Sequence, residues 1–218
     1  MLKFLYRKLC WCAWKFVRLL EHIYDLIRGV DFNLTNRKYE GDGRNEYAVS
    51  SLLYRKAIGK YLRGKVTPDD AIIDIGCGKC QMLYFFSKFP FRKIGGLEYS
   101  QRLIDIAERN MQKLLTGGGG SAVSIIQGDA AVYKDYDEYN YFYLYNPFTD
   151  VIMRPFLENI KESASRRPRK ITFIYLNPVY KELMTEAGFK LEEEINTLGP
   201  NKCFIYSLES FGGRDTAL

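Results

Sequence analysis

The residue types that can do chemistry cluster at the ends of three short apolar runs. The first run ends in Asp74-Ile75-Gly76-Cys77-Gly78. Glycines at alternate positions let the backbone turn sharply and let a ligand approach where a Cβ would collide. A helix that follows such a turn offers free backbone N–H groups to an anionic group. Glu98 closes the second run, about 20 residues past the glycine turn, where an acid takes both hydroxyls of a ribose. Asp129 closes the third run, in Gln127-Gly128-Asp129-Ala130, where a carboxylate accepts from an adenine amine. Ligands of open α/β sheets sit at the carboxyl ends of strands, so three strand-end acids in order point into one crevice. The dinucleotide fingerprint needs a third glycine at position 81, which is Gln81, and this counts against NAD. Cys77/Cys80 and Cys10/Cys12 have metal-like spacing. His22 is the only histidine, so four ligands for zinc would have to come almost wholly from scattered cysteines, and no metal site is expected.

Elements able to position these groups alternate along the chain. Strand-like runs occur at 71–77, 93–99, 122–127, 140–145, 170–176, 189–195 and 202–208, with helical spacing at 46–63, 80–88, 101–115, 151–165 and 179–187. The run Ala71-Ile72-Ile73 is apolar on both faces, as a strand covered on both sides requires. Ser100 is placed to cap the helix after Glu98. Strands alternating with helices imply an α/β, doubly wound, mostly parallel sheet. Near the C-terminus, two strands joined by a turn at Gly199-Pro200 imply an antiparallel pair at one edge. The four glycines at 117–120 read as a connecting loop. Tyr139, Tyr141, Tyr143 and Tyr145 alternate along strand four and are expected to pack beneath a helix. The basic run 166–170 reads as a solvated turn.

Over about residues 45–210 the chain resembles the class I S-adenosylmethionine-dependent methyltransferases. The resemblance rests on Asp74-Ile75-Gly76-Cys77-Gly78, Glu98-Tyr99-Ser100 and Gly128-Asp129-Ala130. It implies a seven-stranded Rossmann-like sheet whose last strand is antiparallel. It also implies a bound S-adenosylmethionine, with its methionine part at the glycine turn, its ribose at Glu98 and its adenine by Asp129. Cys80 departs from the pattern, since many members have a third alternate glycine there. Asn146-Pro147-Phe148 looks like the Asn-Pro-Pro-Tyr/Phe motif of amine-directed members, shortened by one proline. Carried over, Asn146 orients an amine, Pro147 supplies its carbonyl and Phe148 stacks on the acceptor. In this superfamily the segment before the first strand often covers the acceptor, which makes Arg44, Asn45 and Tyr47 candidate substrate contacts. The acceptor itself is unidentified. A second reading is a catalytically silent cofactor-binding module that recruits a partner or membrane through the N-terminus.

The N-terminus differs in kind. Residues 1–28 hold six basic side chains, Lys3, Arg7, Lys8, Lys15, Arg18 and Arg28, against Glu21 and Asp25, in a chain of 218 residues with net charge +6. The remaining body is close to neutral, which disfavours a nucleic-acid face. Leu2, Leu5, Leu9, Cys12, Phe16, Leu19, Ile23 and Leu26 form a helical stripe, with Gly29 as its stop. The division expected is a basic amphipathic helix at 1–29, a linker at 30–45 and a catalytic domain at 46–218. Lys8, Lys15 and Arg18 interrupt any membrane span, and the segment is a poor match to a cleaved signal. Its uses stay open between packing on its own domain, self-association with a second copy, and lying on an anionic membrane surface with Trp11 and Trp14 at the headgroups. Cys10 and Cys12 would then be candidate acylation sites. An odd count of five cysteines at irregular spacing fits a reducing cytoplasm, with peripheral membrane attachment as an option.

Overall fold

The structure, a computed structural model, describes residues 2–33, 43–45, 48–115, 122–197 and 199–209, with side chains in the first helix from Trp14 onward. The elements in chain order are α1 (Leu2–Arg28), α2 (Leu52–Leu62), β1 (Ala71–Ile75), α3 (Gln81–Phe86), β2 (Lys93–Glu98), α4 (Gln101–Leu114), β3 (Ala122–Gln127) and β4 (Tyr141–Tyr145). They continue with α5 (Asp150–Arg166), β5 (Ile171–Leu176), α6 (Lys181–Glu186), β6 (Lys190–Ile195) and β7 (Cys203–Leu208). All seven expected strands are present. The helix expected over 46–63 starts only at Leu52, because the Ser51 side chain accepts from the Leu53 N–H and caps it there. Ser100 caps α4 in the expected way, accepting from Leu103 N. The glycine run 117–120, Tyr47 and the side chains of Cys10, Trp11 and Cys12 lie outside the described residues.

One seven-stranded sheet runs in the order β3-β2-β1-β4-β5-β7-β6. β3, β2, β1, β4 and β5 are parallel neighbours, while β7 is antiparallel to both β5 and β6. The strand order reverses between β1 and β4, which opens a crevice at their carboxyl ends. Each sheet face has its own core. α5 and α6 cover one, around Phe142, Phe156 and Phe173. α2, α3 and α4 cover the other, around Ile58, Phe86 and Ile174. β6 forms an edge and exposes Lys190, Glu192, Glu193 and Glu194, charges that discourage pairing with another chain.

The tyrosines of β4 pack as expected, and the hydroxyls of Tyr143 and Tyr145 find partners. Tyr143 is buried and hydrogen-bonds Ser50 at 2.5 Å, and the Tyr145 hydroxyl accepts from Asn201 Nδ2 at 2.8 Å. Tyr139, before the strand, lies in the core of the opposite face. The basic run is solvated at Arg166, Arg167 and Lys170, as expected, and anchored at Arg169. Arg169 donates to the carbonyls of Tyr136, Tyr139, Ser163 and Arg167, tying the end of α5 to the approach of β4.

α1 ends where Gly29 was expected to stop it. Gly29 adopts φ +62 with its N–H on the Leu26 carbonyl, and the Val30 N–H reaches the Asp25 carbonyl, the pairing of a left-handed glycine cap. The helix packs on its own domain, but among the described residues not through the apolar stripe. Phe16, Leu19, Ile23 and Leu26 are all exposed. The docked face is instead Trp14, Glu21 and Asp25. Trp14 meets the Tyr54 ring at 5.6 Å. Glu21 accepts from Arg55 at 3.1 Å and from Leu52 N at 2.6 Å. Asp25 accepts from the Phe32 and Asn33 N–H groups. The stretch expected as a linker begins as packed chain, since Val30 and Phe32 are buried in the core beneath α1.

Candidate cofactor and acceptor cleft

After β1 the chain hooks around the end of β2. Gly76 N and Cys77 N both donate to the Leu97 carbonyl, at 2.8 and 3.1 Å. Gly76 holds φ +74, and a Cβ there would lie 2.6 Å from Pro147 Cβ, so the glycine turn and the loop after β4 meet without room for a side chain. Gly78 is also left-handed, at φ +52, and so is Cys80, at φ +65. The family's usual third glycine thus has a physical reason here. Cys80 occupies a glycine-type conformation, and its side chain is buried in the core. Cys77 and Cys80 approach to 3.6 Å between sulfurs. The hydrogen bond to Cys80, and then burial, push the Cys77 thiol well above its ordinary pKa, so it is a poor nucleophile. Among the described residues no group of three or more His, Cys, Asp or Glu side chains is placed to hold a metal ion.

The strand-end acids have distinct surroundings. Asp74 is buried, and burial first, then the charge of Glu98, holds its carboxyl well above the usual carboxylate range. Glu98 is clamped between two turns, accepting from Gly78 N at 2.8 Å and from Ser100 N at 2.9 Å. Asp129 accepts from Ala131 N at 3.0 Å and pairs with Arg44 at 2.6 Å. The Arg44 guanidinium also lies 3.7 Å over the Tyr99 ring, which is half exposed.

Residues 43–45 form a strap over the loop after β4. Asn45 N donates to the Pro147 carbonyl at 2.9 Å, Asn45 Nδ2 to the Asn146 carbonyl at 2.7 Å, and Thr149 N to the Gly43 carbonyl at 2.7 Å. Asn146 sits at φ +42, a conformation that asparagine tolerates better than most residues. Its Oδ1 accepts a long hydrogen bond from the Tyr175 hydroxyl, at 3.4 Å.

One cleft brings together Arg44, Asn45, Gly76, Glu98, Tyr99, Gly128, Asp129, Ala130, Pro147 and Phe148. Asp74 and Cys77 are buried, and Gly78 turns its N–H to Glu98. Two residues differ from their expected places. Phe148 is only 5% exposed and packs edge-on against Phe156 at 5.6 Å, so its ring is mainly core rather than a free stacking surface. Arg44 lies on the side expected for adenine, not over an acceptor. With Arg44 in this position the cleft encloses about 90 Å³, well under the roughly 300–1,000 Å³ of sites that take a whole small molecule.

Ala48, Leu97, Leu103 and Ile152, unmarked by any motif, also line the cleft, as does Tyr145, expected only to pack. Leu97 and Tyr145 adjoin named acids or motifs and were findable by adjacency. A second omission is Lys79, fully buried in the glycine turn and bonded to Asp31 at 2.7 Å, with Asn110 accepting from Asp31 N and donating to the Lys79 carbonyl. No spacing signal connects residues so far apart.

No family model matches the sequence, and no curated protein does. Solved structures do match in fold. The methyltransferase domain of bacterial CtHen1 aligns with TM-score 0.54 at 15% identity over 72% of this chain and 98% of that one. The glycopeptide N-methyltransferase MtfA aligns with TM-score 0.55 at 10% identity over 71% and 95%. An RNA methyltransferase from Salinibacter ruber, solved with S-adenosyl-L-homocysteine, aligns with TM-score 0.50 at 12% identity over 75% and 97%. The seven-stranded sheet with its reversed seventh strand is therefore the Rossmann-like fold of the class I S-adenosylmethionine-dependent methyltransferases.

Proposed function

We propose that the protein is an S-adenosylmethionine-dependent methyltransferase whose acceptor presents an amine nitrogen. The observation that carries this reading is the convergence of Gly76, Glu98, Asp129 and Pro147 on one cleft at the point where the strand order reverses. Their chemistry fits the cofactor. S-adenosylmethionine joins a nucleoside to a cationic sulfonium and ammonium, and the cleft presents carboxylates from two strand ends with Asp74 behind them. Position 81, where a dinucleotide turn needs its third glycine, is Gln81 at the start of α3, which disfavours a dinucleotide.

On this reading Gly76 and Gly78 cradle the methionine part, Glu98 meets the ribose, and Tyr99, Asp129 and Ala130 frame the adenine once Arg44 swings aside. Bound there, the cofactor supplies a methyl group on a good leaving group, so the chain's task is alignment and exclusion of water. Asn146 Oδ1 and the second lone pair of the Pro147 carbonyl accept from the acceptor amine and aim its lone pair. The strap of Asn45 and the buried Phe148 hold that loop in place. His22 is engaged on α1 with the Arg18 carbonyl, 2.8 Å away, so the amine arrives neutral or loses its proton to water.

Calorimetry with S-adenosylmethionine, S-adenosylhomocysteine and NAD tests the cofactor. The first two should bind, and Asp129→Ala should weaken them about tenfold or more, the worth of a hydrogen bond to a charged group. Binding of NAD alone, or of nothing, would sink the proposal. Release of S-adenosylhomocysteine over a panel of amine acceptors tests the nitrogen assignment. Asn146→Ala should keep cofactor binding and lose transfer, and undiminished turnover would remove Asn146 from its role.

A further inference from the structure

The face that α1 turns away from the domain has no role in the cleft. Phe16, Leu19, Leu20, Ile23, Leu26 and Ile27 are all at least 41% exposed, and Ile27 reaches 77%. They recur at helical spacing along one side, and none is charged. Contiguous exposed apolar surface of this kind marks an interaction site rather than ordinary scatter. The orientation is held from behind by polar contacts. Glu21 bonds Arg55 and the Leu52 N–H, Asp25 bonds the backbone of Phe32 and Asn33, and Trp14 packs on Tyr54.

Charge decides what covers this face. Both acids of residues 1–28 are buried against the domain. Arg18 pairs with Glu21 at 3.1 Å, and of the segment's other basic residues Lys15 and Arg28 are exposed beside the apolar side chains. A second copy applied to the same face would bring like charges together, with no exposed acid in the segment to answer them. An anionic lipid surface answers them directly. Next to α1, and sharing Leu20 and Tyr24 with it, a groove of about 940 Å³ runs between α1, α2 and α3. Its apolar walls include Leu52, Phe85 and Phe89, and the exposed Lys56, Arg63 and Lys88 line it. Apolar walls beside exposed cations suit acyl chains below phosphate headgroups. No helix among the described residues is long and apolar enough to cross a membrane, so the helix lies in the interface, about 40 Å long for its 27 residues.

We infer that α1 seats the protein on an anionic lipid bilayer, with its exposed apolar face in the interface and the mouth of the adjoining groove against the headgroups. The test uses the full chain in sedimentation with vesicles of phosphatidylcholine alone and of phosphatidylcholine mixed with phosphatidylglycerol. The wild type should pellet with the mixed vesicles, much less with the neutral ones, and should be released by added salt. The triple variant Leu19→Gln, Ile23→Gln, Ile27→Gln alters exposed positions only. It should keep the wild-type melting curve and cofactor affinity while its partition onto mixed vesicles drops more than about tenfold. Wild-type protein that stays in the supernatant with both vesicles overturns the inference, as does a folded triple variant that binds them unchanged. A dimer in sedimentation velocity that the triple variant dissolves, with no vesicle binding, would assign the face to a second copy instead.

Discussion

The strand-end crevice and the N-terminal helix put acidic side chains to opposite uses. At the crevice, Glu98 and Asp129 stand at strand ends with backbone N–H groups as partners, so negative charge gathers where a ligand meets the chain. In α1 both acids face inward, and the surface left outside is apolar with a basic border. The difference lies in what each acid meets. Each strand end finds a backbone donor two residues on, Ser100 N for Glu98 and Ala131 N for Asp129, a local property of the chain. Glu21 meets Arg55, a partner 34 residues away that only the tertiary fold brings near.

The largest effect is expected where the crevice depends on bare backbone. Gly76→Ala must hold an alanine at φ +74 and place its Cβ 2.6 Å from Pro147. The left-handed conformation costs roughly 1–2 kcal/mol and the forced contact typically about 1–3 more. Denaturant unfolding should therefore show a loss of about 2–5 kcal/mol, and calorimetry should show no S-adenosylmethionine binding. A variant with wild-type stability and affinity would mean that the turn can be made another way, and the crevice would lose its contrast with α1.

This contrast also explains what could be read in advance. The central parallel strands and the glycine turn were legible because buried parallel strands need apolar runs, and because positive φ selects glycine, while β6 and β7 were legible from the turn at Gly199-Pro200 between them. Ser100 and Gly29 were legible for the same local reasons, as a cap and a stop. The docked face of α1 was not, because an apolar stripe at helical spacing says that one side is apolar but not which side the domain takes. Here two acids and a tryptophan outcompete the stripe by finding Arg55, backbone donors and Tyr54. Phe148 was misjudged similarly. Its motif suggested a stacking ring, but α5 supplies Phe156 to bury it. Arg44 was placed on the acceptor for want of any local sign that its side chain would reach Asp129, 85 residues on.

An intermediate effect is expected from Glu21→Ala, which tests whether the two regions are independent. Burial already disfavours the Arg55 charge, and Glu21 is the group that most offsets it. Removing that carboxylate should cost about 2–3 kcal/mol, less than a fully buried pair because Arg55 keeps 16% of its side-chain exposure. The loss should be local, with α1 cut early by a protease while S-adenosylmethionine affinity stays unchanged. Affinity that fell in parallel would show coupling instead. A path exists for it, from Arg55 to the Ser50 carbonyl, then through the Ser50 hydroxyl to Tyr143, which stands opposite Asp74 in the sheet register.

The smallest effect concerns Arg44, the one cation that lines the crevice among the described residues. Arg44 holds Asp129 and covers Tyr99 in the space assigned to adenine, and these two partners are partly exposed. An exposed ion pair is worth about 0–1 kcal/mol and a cation over a ring about 0.5–1. A ligand that displaces them gives up that much, so Arg44→Ala should tighten S-adenosylmethionine binding about two- to thirtyfold in calorimetry, with little change in melting temperature. Weaker binding would mean that Arg44 stays in contact with the ligand after turning. The crevice would then hold its cation as a ligand group, much as α1 holds Arg55 as a structural one, and the two regions would differ in location rather than in principle.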